Sequence, residues 1–113
     1  MNTQIKLTYN GVDYVLEYNR DSVKRLEAAG FKIEEFMDKP MMNLELAFAG
    51  AFIKNHPRVS QETLDNIFAG CKDKTKLVAT LSKMIDECYD SLLSEGNLEW
   101  EVVDLSPVKK SQE

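Results

Sequence analysis

The dipeptide Asn10-Gly11 lies between two runs of alternating apolar and polar residues, IKLTY and VDYVL. Asn-Gly favours the type I′ turn, in which both central residues have positive φ and the backbone twist matches that of the flanking strands. A two-residue loop sets the register: Tyr9 opposite Val12, Leu7 opposite Tyr14, Ile5 opposite Leu16. All six fall on one face, while Lys6, Thr8, Asp13, Val15 and Glu17 fall on the other. A one-residue slip would exchange the two faces, so the pattern and the turn specify the same pairing. An isolated hairpin is marginal in water, and this one needs a third strand or a helix over its apolar face.

The next segment, NRDSVKRLEAAGF, predicts a short helix, with Asn19 accepting from the first free amides and Asp21 at the positive end of the dipole. Gly30 ends it as the left-handed residue of a Schellman motif, which brings Leu26 and Phe31 together. Residues Ile33 to Met37 add a turn before the break at Lys39-Pro40. From Met41 to Asn55 the apolar residues form two stripes: Met41, Leu44, Phe48, Ala51 and Phe52, then Met42, Leu46, Ala49 and Ile53. Only Asn43, Gly50 and Lys54 are left to face water, which predicts a central helix packed on two sides. Its second side is covered either by the hairpin or by another chain.

His56, the sole histidine, precedes Pro57 and therefore marks a helix end. The chemical alternative, a general base or metal ligand, lacks companions, because no second histidine and no arranged nucleophile accompany it. Ser60 caps a further helix that carries Leu64, Ile67, Phe68 and Cys71 on one face. Asp73 starts the longest helix, Lys74 to about Leu93, with a stripe of Leu77, Leu81, Met84, Ile85, Cys88 and Leu92. The closing NLEWEVV alternates Leu98, Trp100 and Val102 with Glu99 and Glu101 and predicts a half-buried strand that completes the sheet. The expected fold is α+β: an N-terminal hairpin and a C-terminal strand in a small antiparallel sheet, packed on four to five α-helices. Residues 1–104 form a single domain, and 105–113 a flexible tail.

Composition narrows the function. The formal charge of -5 opposes a phosphate backbone, so nucleic acid is not an expected partner. No run approaches the ~18 apolar residues of a membrane span, and the first residues lack the pattern of a signal peptide. Cys71 and Cys88 occupy apolar helical positions and read as reduced core thiols rather than a disulfide. No phosphate-cradling glycine loop, Ser-His-Asp set or Cys-x-x-Cys is present, and neither a cofactor nor a metal is expected. Asp86, Glu87 and Asp90, and likewise Glu99 and Glu101, read as solvated acidic faces rather than acid–base pairs. The chain is therefore expected not to be an enzyme. What remains is the methionine and aromatic surplus of KPMMNLELAFAGAF, where Met41 and Met42 are either core filler or an adaptable binding surface.

Taken together, YNGVDYVLEYNRDSVKRLEAAGF, LELAFAGAFIKNHP, the amphipathic helices and the closing NLEWEV resemble the small tail assembly chaperones of long-tailed bacteriophages of Gram-positive hosts, over residues 5–103. The hairpin departs from the all-helical members of that group. The resemblance implies a helper in the cytoplasm of the infected bacterium, absent from the mature virion. It would bind the tape measure protein, keep it soluble and promote assembly of tail-tube protein around it. Self-association is implied too, as is a longer product made by frameshifting, for which Lys109-Lys110 marks a candidate site. There are no catalytic residues to carry over. A long, helical, apolar client calls for an adaptable groove, and the candidate partner-binding residues are Met41, Met42, Leu46, Phe48, Phe52 and Ile53. The alternative from another class is a small structural virion protein, a tail or head-completion subunit. A third is a host-directed regulator that binds one cellular protein.

Overall fold

The computed structural model describes residues 3–36 and 38–105 of the chain. Strands β1 (Ile5–Tyr9) and β2 (Val12–Leu16) pair antiparallel in the expected register, with Asn10 and Gly11 both at positive φ (51° and 76°). Helix α1 (Arg20–Ala28) begins with a reciprocal cap: Asn19 Oδ1 accepts from the Ser22 N–H at 2.7 Å, and Ser22 Oγ accepts from the Asn19 N–H at 2.9 Å. It ends as the sequence implies, with Gly30 at φ 105° and the Phe31 N–H donating to the Leu26 carbonyl at 3.0 Å. Leu26 and Phe31 are both buried.

A single 3-10 turn, Ile33–Glu35, leads towards α2 (Pro40–Gly50), where proline occupies the first helical turn and its missing N–H costs nothing. The α-helix is shorter than the sequence suggests. From Ala51 the chain continues in tight turns to Asn55, with the His56 N–H donating back to the Phe52 carbonyl. Helices α3 (Gln61–Gly70) and α4 (Lys74–Leu92) follow, capped by Ser60 and by Asp73, the latter in the left-handed conformation at φ 49°. The architecture is α+β: a two-stranded sheet and four α-helices among the described residues. The core joins Leu16 of β2, Phe36, Phe48 and Phe52 around α2, and Leu81, Met84 and Ile85 of α4.

Two expectations are corrected. The C-terminal strand does not form: residues 93–105 are exposed throughout, and Leu98, Trp100 and Val102 are 89%, 80% and 82% exposed. The hairpin is stabilised without it. Tyr14 and Leu16 of β2 are buried in the common core, and the segment after α2 occupies the outer edge of β2. There the Val15 N–H donates to His56 Nε2 at 3.0 Å, the Glu17 N–H donates to the Ala51 carbonyl at 3.1 Å, and Asn55 Nδ2 donates to the Val15 carbonyl at 3.1 Å. Leu92, placed by periodicity in the α4 stripe, is exposed as well. Of the expected tail, residues 106–113, with Lys109-Lys110, lie outside the described residues, as does Met37 in the expected turn.

The second correction concerns α2. Asn43 and Gly50, read as its water-facing side, are buried against α1 and the turn before α2. Asn43 serves three backbone groups: its Oδ1 accepts from the Lys32 N–H, and its Nδ2 donates to the carbonyls of Glu35 and Lys39. Gly50 lets Leu26 of α1 lie directly on the helix backbone. Of the three, only Lys54 reaches water, and it pairs with Glu17 at 3.1 Å.

Candidate partner-binding grooves

Helix α2 is apolar almost all round, so once one side meets α1 and the core, other apolar side chains must reach the surface. Met41 and Met42, 87% and 66% exposed, do so. Helix α3 does not close over the first of them. A groove of about 290 Å³ runs between the two helices, walled by Pro40, Met41, Leu44 and Phe48 on one side and Leu64 and Phe68 on the other. Phe48 packs edge-to-face on both Phe52 and Phe68, with ring centroids 5.2 Å apart in each case, which gives the groove a rigid aromatic floor. Glu45 and Asp65 stand at its rim and make the surroundings acidic.

A second depression, about 250 Å³, lies on the other flank of α2 and is lined by Leu46, Phe52 and Ile53 with Leu26 and Val59. The six candidate residues therefore do not form one surface. Met41 and Phe48 share the α2–α3 groove, while Leu46, Phe52 and Ile53 line the other depression. Met42 is exposed but lines neither. Phe48 and Phe52 are core residues that present only an edge. Sequence reasoning missed Pro40, Leu44, Leu64 and Phe68 as groove walls. The signal was there in part, since Leu64 and Phe68 share the apolar stripe of α3, but a stripe does not tell which of its residues stay uncovered.

His56 links the segment after α2 to the hairpin. Accepting at Nε2 from the Val15 N–H requires the neutral ring with its proton on Nδ1. The ring also lies edge-on to Tyr14 at 5.0 Å and Phe52 at 6.4 Å. It thus fastens the end of the α2 segment to the hairpin. Tyr18 adds a second fastening, its hydroxyl donating to the Ala47 carbonyl of α2, and burial pushes that hydroxyl far above its ordinary pKa. Glu17, accepting from Asn55 Nδ2 at 2.8 Å and paired with Lys54, is held below the usual carboxylate value, the Asn55 hydrogen bond being the main cause.

The acidic residues of α4 do not act as a unit. Glu87 accepts from Thr3 N–H at 2.9 Å and from Thr3 Oγ1 at 2.8 Å, which ties the start of β1 to α4, while Asp86 and Asp90 face water. The Tyr89 hydroxyl donates to Glu27 at 2.6 Å and is pushed up to about 12, mainly by burial and then by that carboxylate. Cys71 and Cys88 are free and half-buried, and burial raises both thiols above their ordinary values. Among the described residues no three His, Cys, Asp or Glu side chains gather as a metal site, and no helix is long and apolar enough to cross a membrane. Residues 1–104 match a family described as a domain of unknown function, DUF5055. No curated protein and no solved structure matches the chain.

Proposed function

The chain belongs to the DUF5055 family, and we propose, from the resemblance of its sequence together with the geometry of the α2–α3 groove, that it is a phage tail assembly chaperone that binds the tape measure protein. The observation that carries this reading is the open α2–α3 groove, with an exposed methionine at its lip and an aromatic floor. A flexible thioether over a rigid apolar base suits a helical client whose side chains vary along its length. The acidic rim of Glu45 and Asp65 favours client segments with lysine or arginine beside the apolar positions. Binding of this kind is stoichiometric and reversible, with no turnover. It keeps the client soluble in the cytoplasm of the infected bacterium until tail-tube protein polymerises around it. The resemblance of the sequence to tail assembly chaperones supplies the client, and the groove supplies the means of holding it.

Co-expression tests the reading. The wild-type chain is expected to raise the soluble yield of the tape measure protein and to co-purify with it. Met41→Glu, at a position where folding is indifferent, is expected to reduce both. No gain in solubility with the wild-type chain would reject the proposal, as would an undiminished gain with Met41→Glu. Stoichiometric recovery of the protein in purified virions would reject it in favour of a structural subunit.

A further inference from the structure

The hairpin leaves one edge open. With Tyr9 opposite Val12 across a two-residue turn, the backbone groups of Ile5, Leu7 and Tyr9 point at β2, and those of Lys6 and Thr8 point outward. On β2 the corresponding outward groups of Val15 are taken by His56 and Asn55. On β1 no backbone group among the described residues pairs with Lys6 or Thr8. The side chains on the apolar face of β1 are only half-buried, whereas Tyr14 and Leu16 of β2 are buried. Beside them runs a trough of about 630 Å³, lined by Ile5, Leu7 and Tyr9 on one side and by Ile67, Cys71 and Leu77 on the other. It is the place a third strand would fill.

The same chain carries a segment with the matching pattern. Leu98, Trp100 and Val102 alternate with Glu99 and Glu101 in a stretch that is fully exposed and unpaired with the sheet. We propose that residues 97–103 of one copy add as a strand to the β1 edge of a second copy, and that the exchange is reciprocal. The period of two aligns both faces at once, whichever direction the added strand runs. When Leu98, Trp100 and Val102 lie beside Ile5, Leu7 and Tyr9 over the trough, Glu99 and Glu101 lie beside Lys6 and Thr8. That brings the two acids to Lys6, the one lysine of the β1 edge. The occupant is thus selected by charge as well as by shape.

Reciprocal exchange closes as a two-fold dimer and repeats every contact, so neither edge nor segment is left to propagate into a filament. Trp100 alone removes about 150–250 Å² from water in each half. Strand addition also satisfies the outward N–H and C=O groups that an open edge otherwise exposes. The arrangement is independent of any client and of the α2–α3 groove.

Trp100 is the chain's only tryptophan, so its fluorescence reports the docking directly. The full chain, without client, is diluted from high to low micromolar concentration while light scattering gives the mass. The expected result is a dimer with blue-shifted emission at high concentration, dissociating to a monomer whose emission shifts to the red over the same range. Thr8→Pro, which deletes an outward N–H of an edge strand and the exposed hydroxyl bond from Thr8 to Asp13, is expected to abolish the dimer. Glu99→Lys with Glu101→Lys changes only exposed positions and cannot unfold the domain. With each cross-strand charge pair lost and then reversed in sign in both halves, the double change weakens dimerisation by roughly tenfold or more, and Lys6→Glu in the same chain restores it. A monomer with solvent-exposed Trp100 at every concentration overturns the proposal. So does a monomer with buried Trp100, which would mean docking within one chain, and so does a dimer indifferent to the charge reversal.

Discussion

Gly50→Ala tests the contact that holds α1 on α2. A methyl group there would lie 2.5 Å from Leu26 Cδ2, 2.9 Å from Cγ and 3.1 Å from Cδ1. Carbon atoms pack at about 3.5–4.0 Å, so Leu26 must withdraw by about 1 Å. It has little freedom to do so. Leu26 is buried, and its carbonyl accepts from the Ala29 and Phe31 N–H groups that close α1. Overpacking of this kind costs about 1–3 kcal/mol, and the better helix propensity of alanine returns at most ~1 kcal/mol. The net expectation is a loss of about 1–2 kcal/mol, seen as a Tm lower by roughly 4–10 °C. Gly70→Ala is the control, since nothing lies within 4 Å of that position and only the propensity gain remains. Urea unfolding should place the two variants on opposite sides of wild type. Leu26→Ala in the Gly50→Ala chain should cost about 1 kcal/mol less than the two single changes summed, because truncation removes the clash. A Gly50→Ala protein as stable as Gly70→Ala would refute the close approach.

Three other outcomes follow from the fastenings between hairpin and helices. Glu17 is held below its ordinary value of 4.5, so its contribution is complete above that pH and is lost as pH falls through the depressed folded-state value. Stability measured down the acid range should therefore fall more steeply for wild type than for Glu17→Gln. His56→Ala leaves the Val15 N–H without its acceptor and is expected to cost about 1–3 kcal/mol, with faster hydrogen exchange at Val15 than at Leu7. Tyr18→Phe should cost less, about 0.5–1.5 kcal/mol by urea midpoint, because the Ala47 carbonyl still accepts from the Ala51 N–H.

The groove was legible only in outline. Two apolar stripes on α2 announced a helix with more greasy surface than one neighbour could cover, and Met41 is indeed exposed. Yet the six candidate side chains divide between two flanks, and Phe48 and Phe52 belong to the core. Periodicity ranks faces by polarity, and α2 is too uniformly apolar for that ranking to choose which face stays open. Asn43 and Gly50 misled for a related reason. A small or polar residue in an apolar helix looks solvent-facing, but it is also what a close helix crossing or a buried backbone turn requires.

What the amino-acid order settled unaided is local. The Asn10-Gly11 turn and its register, the Asn19 and Ser60 caps and the Gly30 stop each depend on interactions within a few residues, and each appears as read. Tertiary packing decided the rest: which side of α2 meets α1, which edge of the hairpin is occupied, and whether the alternating run from Leu98 to Val102 pairs within its own sheet. Such choices compare partners far apart in the chain. His56 takes an edge of β2 from 41 positions away, through a side-chain nitrogen, and no strand pattern contains that competitor.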